Sequence, residues 1–222
     1  MTNWYNYDEY LLAVQQHGYA FVQLYSYVLK YVKNQTNELC KLAVSNYGTA
    51  LQYIKEQTDE IYKLTIQKNG YFIKCVQNQT DELCKLAVQQ DGYALEYVKD
   101  QTDEICKLAV QQNRFALKYV KNQTDEICKL AIQYDGWTFQ YVKYQTDEIC
   151  KLAIQKNGYN LRFVKEQTDE LCILAVQQIG FALQFVKEQT YEIIDCALTQ
   201  NIDAKQFINI EYDENHLRYV LK

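Results

Sequence analysis

The chain has 222 residues, 48% of them hydrophobic and 14% aromatic, with 28 acidic against 23 basic side chains and a formal net charge of −5. That apolar share builds a core and excludes a disordered chain, and the acid excess opposes nucleic acid as a partner. No apolar run reaches the roughly 18 residues of a membrane span, and Met1 to Tyr10 lacks the charged start and apolar middle of a secretory signal, so a cytoplasmic address with no membrane partner is expected.

An internal ruler organises everything after the first residues. A Gln-Thr pair returns with its threonine at Thr36, Thr58, Thr80, Thr102, Thr124, Thr146, Thr168 and Thr190, a spacing of 22 residues each time. Gly48, Gly70, Gly92, Gly136, Gly158 and Gly180 each lie twelve residues after one of these threonines, with Arg114 and Ile202 in the glycine place elsewhere. A repeat this short cannot bury its own apolar face and must lean on its neighbours, which predicts a stacked solenoid. The expected organisation is a single repeat domain over residues 1–222. Residues 1–35 form an N-terminal cap with a degenerate repeat and an insertion near Tyr25 to Val32; residues 36–190 hold seven full 22-residue repeats; residues 191–222 hold a degenerate repeat and a C-terminal cap.

Residues 102–123 show what one repeat predicts. Thr102 is placed to cap a helix through its hydroxyl, and Asp103 and Glu104 then sit where the helix dipole favours negative charge. Ile105, Cys106, Leu108, Ala109 and Val110 follow at spacings of three and four, an apolar helix face on which Leu108 reads as buried. Asp103 and Lys107 are four apart in the favourable order. The Asn-Gly or Asp-Gly pair of most repeats, such as Asp91-Gly92, is expected to supply a left-handed residue that ends the helix, and a second, shorter helix from about Tyr93 to Lys99 completes the pair. The fold class is therefore all-α, an α-solenoid of stacked short helix-turn-helix repeats. A continuous right-handed coiled coil would share the period, but polar runs such as Lys121 to Glu126 interrupt any seam. A leucine-rich-repeat-like α/β solenoid is the main alternative, because Ile105, Leu108, Val110 and Asn113 match its template. Alanine at Ala43, Ala87, Ala109, Ala131, Ala153, Ala175 and Ala197 favours a helix there over a strand.

The blocks L-A-V-Q-Q-D-G-Y-A-L-E-Y-V-K, L-A-V-Q-Q-N-R-F-A-L-K-Y-V-K and L-A-I-Q-K-N-G-Y-N-L-R-F-V-K carry a resemblance. They are similar to a repeat family of unknown function found in giant DNA viruses of the mimivirus type, in some algae and in bacteria, whose members repeat an A-V-x-x-N/D-G-x-A-L-x-Y/F core. The resemblance covers residues 36–208. It implies a repeat fold and no activity, and, for a viral copy, a place in the host cytoplasm or the virion.

Few residues invite chemistry. Cys40, Cys84, Cys106, Cys128, Cys150 and Cys172 share one repeat position, but stacked helices lie roughly 8–10 Å apart, too far for a disulfide, and no Cys-x-x-Cys pair exists for zinc. They read as small packing thiols; Cys75 and Cys196 lie off this ladder. Histidine occurs only as His17 and His216, so no histidine centre can be assembled. The Asp-Glu pairs, such as Asp81-Glu82 and Asp147-Glu148, read as helix starts rather than acid-base couples. Three glycosylation sequons, at Asn34, Asn78 and Asn122, read as coincidences of the repeat. No enzyme activity, cofactor or metal is expected.

Two ladders of another kind remain. Aromatics form one row through Tyr71, Tyr93, Phe115, Trp137, Tyr159 and Phe181 and a second through Tyr53, Tyr97, Tyr119, Tyr141, Phe163 and Phe185. Such rows rigidify a stack, and the first is also the candidate partner-binding surface, since tyrosine is favoured at interfaces. Lysines form ladders through Lys41, Lys63, Lys85, Lys107, Lys129 and Lys151, and through Lys55, Lys99, Lys121, Lys143, Lys165 and Lys187, each with a carboxylate within a turn. The expectation is a non-catalytic scaffold for a protein partner, bound on a concave face or an aromatic row. The alternatives are self-assembly into a filament or particle layer and nucleic-acid binding through the lysine ladders.

Overall fold

The computed structural model describes residues 29–209. Residues 25–28 of the expected insertion lie outside them, as do His17, His216, residues 1–28 of the N-terminal cap and residues 210–222 of the C-terminal cap. The chain divides into two compact units, Met1–Val120 and Lys121–Lys222. After a 3-10 turn at Leu29–Tyr31, the first unit carries α1 (Asn37–Asn46), α2 (Asp59–Lys68), α3 (Asp81–Gln90) and α4 (Asp103–Gln112). The second carries α5 (Asp125–Tyr134), α6 (Asp147–Lys156), α7 (Asp169–Gln178) and α8 (Tyr191–Gln200). Each α-helix is followed by a 3-10 helix, for example Gly92–Tyr97 after α3 and Gly158–Phe163 after α6. Every regular element among the described residues is helical, so no strand of a leucine-rich repeat is present and the repeats are all-α. Within each unit neighbouring pairs stack on one another as solenoid repeats.

The helices start as the sequence predicts. Thr102 is extended (φ −82°, ψ 159°) and its hydroxyl accepts from Ile105 N at 3.3 Å; Thr80 and Thr168 do the same for Leu83 and Leu171. They end differently. Asp91 and Asn157, which close α3 and α6, are extended (φ −149° and −161°), and none of the described glycines has a left-handed φ. The Asn or Asp instead caps the 3-10 helix, its side chain accepting from the amide two residues on: Asp91 Oδ1 from Tyr93 N at 2.9 Å, Asn157 Oδ1 from Tyr159 N at 2.9 Å. Glycine follows because the next repeat arrives there. A Cβ on Gly70 would lie 2.2 Å from the Ala87 carbonyl oxygen, and one on Gly180 would lie 2.6 Å from that of Ala197. Close approach, not backbone handedness, explains this ruler mark.

The core repeats too. Ile105, Cys106, Ala109 and Val110 of α4, with Ala116, Leu117 and Val120 after it, are all buried, and the other repeats bury the matching positions except at half-buried Phe72 and, in the last repeat, exposed Lys205 and half-buried Ile208. Leu108 is a correction. It and its counterparts Leu86, Leu130 and Leu152 are only half-buried, because a residue at this step of the helix falls at the edge of the arc that Ile105, Cys106, Ala109 and Val110 define. Polar exceptions in the core are answered locally: Thr138 Oγ1 donates to Asp135 O at 2.7 Å and Asn160 Nδ2 to Ala153 O at 2.8 Å.

Candidate functional site

Within each unit the two aromatic rows join into a ridge. A ring of the first row packs edge-on against the second-row ring of the following repeat. Tyr71 meets Tyr97 with centroids 4.6 Å apart, Tyr93 meets Tyr119 at 5.8 Å, Trp137 meets Phe163 at 6.3 Å, Tyr159 meets Phe185 at 6.0 Å, and Phe181 meets Phe207 at 5.7 Å. Packing and exposure coexist here, since Tyr71, Tyr93 and Trp137 still show 36%, 37% and 39% of their surface while Phe115, Tyr159 and Phe181 are half-buried. The ridge also carries cations over its rings. Lys74 Nζ lies 3.8 Å from the Tyr71 centroid, and Lys118 Nζ lies 5.0 and 4.5 Å from Tyr93 and Tyr119. Arg114 covers Phe115 at 5.1 Å, and the Arg162 guanidinium sits 4.4 Å from both Trp137 and Phe163. The Tyr71 and Tyr97 hydroxyls are 3.1 Å apart; this bond, with help from Lys74, lowers the Tyr71 pKa and raises that of Tyr97.

At the backbone of the second-row residues lies a set of clamps that the sequence marked but did not explain. The glutamine before each capping threonine reaches into the next repeat. Gln167 Nε2 donates to Leu161 O at 3.2 Å and Phe185 O at 2.9 Å, while its Oε1 accepts from Lys187 N at 3.0 Å. Gln35, Gln79 and Gln189 make the same three bonds. Gln57 shows the rule by its exception: Tyr62 takes the cysteine position, its hydroxyl donates to Gln57 Oε1 at 2.8 Å, and Gln77 N–H donates to the phenol oxygen. Strict recurrence of Gln-Thr was the available signal, and a half-buried amide that must satisfy backbone groups on two repeats is its cause.

Both lysine ladders are spent on stacking. Lys41, Lys63, Lys85, Lys129 and Lys151 pair with Glu60, Glu82, Glu104, Glu148 and Glu170 of the following repeat at 2.6–2.8 Å. Those glutamate bonds, joined by Asp81 at Lys85 and Asp147 at Lys151, raise the pKa of Lys63, Lys85 and Lys151. In the other ladder Lys99 Nζ donates to Gln77 O at 2.7 Å and Lys165 Nζ to Lys143 O at 2.7 Å. These contacts run between repeats, so the carboxylates within a turn are only part of the account.

The six ladder cysteines are buried, and all eight cysteines named by the sequence are free thiols. Burial pushes up the thiols of Cys40, Cys84, Cys128, Cys150 and Cys172, to about 11 at Cys84, Cys128 and Cys172, which keeps these five protonated and unreactive. Cys84, Cys106, Cys128 and Cys172 each point a weak S–H at the clamp glutamine, 3.7–3.9 Å away. Clefts beside the clamps recur as copies, one of about 230 Å³ at Gln35, Cys40 and Lys55 and one of about 410 Å³ at Gln145, Cys150 and Lys165. Among the described residues no group of three or more His, Cys, Asp or Glu is placed to hold a metal ion, and no helix is long and apolar enough to cross a membrane.

A solenoid of paired short helices, with an aromatic ridge in each unit, is the class that fold and surface define. Residues 80–123 and 124–168 each match the model of a domain of unknown function, DUF4116, every match spanning two of the 22-residue repeats. The chain is thus similar to a tandem repeat domain to which no activity is attached. No curated protein and no solved structure matches the chain.

Proposed function

We propose that the protein is a non-catalytic helical-repeat scaffold that binds a protein partner through its aromatic ridge. One observation carries the reading. Clamp glutamines, lysine ladders and buried thiols find their partners inside the stack, whereas Tyr71 and Tyr93 of the first unit and Trp137 of the second keep more than a third of their surface exposed. Exposed aromatic rows with cations among them have the composition of interface anchors. The lysine ladders are a poor nucleic-acid surface once their charges are engaged by glutamates and carbonyls. Buried protonated thiols suit a cytoplasmic protein, and for a virus-encoded copy that is the host cytoplasm or the particle.

The test compares the wild type with a variant carrying Tyr71→Ala, Tyr93→Ala, Trp137→Ala and Tyr159→Ala, each used to capture proteins from its native cells. Loss of the captured set at unchanged helical circular dichroism is the expected result. An unchanged set refutes the ridge as the contact surface, and light scattering that rises with concentration only in the wild type assigns the ridge to self-assembly.

A further inference from the structure

The repeats are near copies, so departures that the stacking does not require are informative where they gather in space. They gather at one rung of the second unit. At Gly158 and Gly180 an added Cβ would lie 2.7 and 2.6 Å from the carbonyl of Ala175 or Ala197, but at Gly136 the equivalent Ala153 oxygen is 3.9 Å away. Asn160, standing where most repeats have alanine, fills the difference: its Nδ2 lies 2.9 Å from the Cβ position of Gly136 and donates to Ala153 O. The clasp across this rung is also missing. Gly180 N donates to Gln200 Oε1 at 2.6 Å, whereas Lys156 occupies the corresponding place opposite Gly136.

The outer face of this opened rung is unlike its neighbours. It presents Trp137, with Tyr134 (56% exposed) three residues earlier, and two cations, Lys156 and Arg162. Neither cation has a carboxylate partner among the described residues, although Lys129 and Lys151 of the same unit do. Asp135 on this side turns its Oδ1 into its own backbone, accepting from Trp137 N at 3.0 Å. Positive charge and apolar rim therefore face outward together on a chain whose net charge is −5.

We propose that this rung, formed by Trp137, Lys156 and Arg162 with Tyr134 beside them, docks an acidic segment of a protein partner. The inference rests on the scaffold reading above and names the partner's chemistry. The Arg162 guanidinium lies 4.4 Å from the centroids of both Trp137 and Phe163, contacts that restrict its side chain before a carboxylate arrives, and the aromatic rims supply contact for apolar side chains between the acids. The acid excess of the chain disfavours such a segment wherever no cation lies over the rings. A nucleic-acid strand fits less well, because the guanidinium already lies against the Trp137 and Phe163 rings on which a base would stack, and two cations are few for a row of phosphates. A second copy offers little, since Glu148 and Glu170 are already bound to Lys129 and Lys151.

The experiment titrates the full chain with a fluorescein-labelled peptide of about twelve residues alternating Glu and Tyr, beside a Gln/Tyr peptide and an oligo-dT of similar length. The Glu peptide is expected to bind at least about tenfold more tightly than the Gln peptide and to weaken between about 50 and 200 mM salt. Lys156→Gln with Arg162→Gln restores residues that sister repeats carry at these places, Gln178 and Gln184, so folding is kept and the tenfold preference is lost. Lys68→Gln, at the matching place in the first unit, leaves the preference intact. Equal binding of the two peptides, an unmoved preference in the double variant, tighter binding of oligo-dT, or self-association abolished by the double variant each overturns the proposal. Retention of the Gln peptide without preference leaves the scaffold standing and removes only the acidic partner, whereas the scaffold itself falls by the four-residue ridge variant.

Discussion

The clamp edge and the ridge edge of the same repeat follow different rules. At the clamp the glutamine is identical in all eight Gln-Thr pairs, from Gln35 to Gln189, and Gln35, Gln79, Gln167 and Gln189 make the same bonds, with Gln57 diverted by Tyr62. Across the ridge the corresponding residue is tyrosine, phenylalanine or tryptophan, and the residue three further on is Lys74, Glu96, Lys118, Gln140, Arg162 or Gln184. The first edge has one task, closing backbone groups between repeats, and only one side chain length does it. The second needs only a ring that fits against the next ring, which leaves charge and shape free to vary from repeat to repeat.

Paired substitutions, one inward and one outward, sharpen that contrast. The largest effect is expected from Phe139→Ala, which empties a fully buried site and should cost about 3–5 kcal/mol. Leu152→Ala, half-buried at the edge of its helix arc, should cost about half as much, as read from urea midpoints. Next comes Gly180→Ala, whose methyl would strike the Ala197 carbonyl and cost about 1–3 kcal/mol. Gly136→Ala meets a side-chain amide and a lysine Cβ at 2.9 and 3.0 Å and should be milder; equal costs would show that the opened rung is not open. Gln167→Ala leaves two carbonyls and one amide without their partner, for about 1–3 kcal/mol. Gln155→Ala, exposed beside the ridge, should stay within about 0.5 kcal/mol. A clamp substitution as mild as that one would erase the distinction between the edges.

The smallest effect is a slope in pH. Thiol pKa values in the folded chain are raised from 9.0 to about 11 at Cys84, Cys128 and Cys172. The folded state holds these protons where the unfolded state releases them, so the contribution is whole below about 9 and is lost as pH climbs toward about 11. Denaturation midpoints across that window should fall less steeply in a Cys84→Ala, Cys128→Ala, Cys172→Ala variant than in the wild type.

The period, the capping threonines, the helical class and the aromatic rows were legible because each is a local statement about side chain and backbone. Leu108 was misplaced because helix periodicity gives the direction of the apolar arc, not where its edge meets solvent. Glycine was misassigned for a related reason: Asp-Gly signals a turn locally, while the methyl-sized gap at Ala87 or Ala197 exists only once a second repeat is in place. The clamp was visible as a repeated Gln and unreadable as a bond, since its partners lie 18 and 20 residues further on. The rung at Gly136 depends on Asn160 reaching between repeats, a relation that no single stretch of sequence contains.

That short reach of the clamp has a consequence at the ribosome. Gln167 meets its last partner, the Lys187 amide, 20 residues after itself, so a nascent chain can close each clamp as soon as the following repeat has cleared the exit tunnel. Nothing in the described bonds asks an early repeat to wait for a distant one, and contacts of this kind form quickly. Synthesis can therefore lay the protein down in order, each finished repeat serving as the template on which the next one settles.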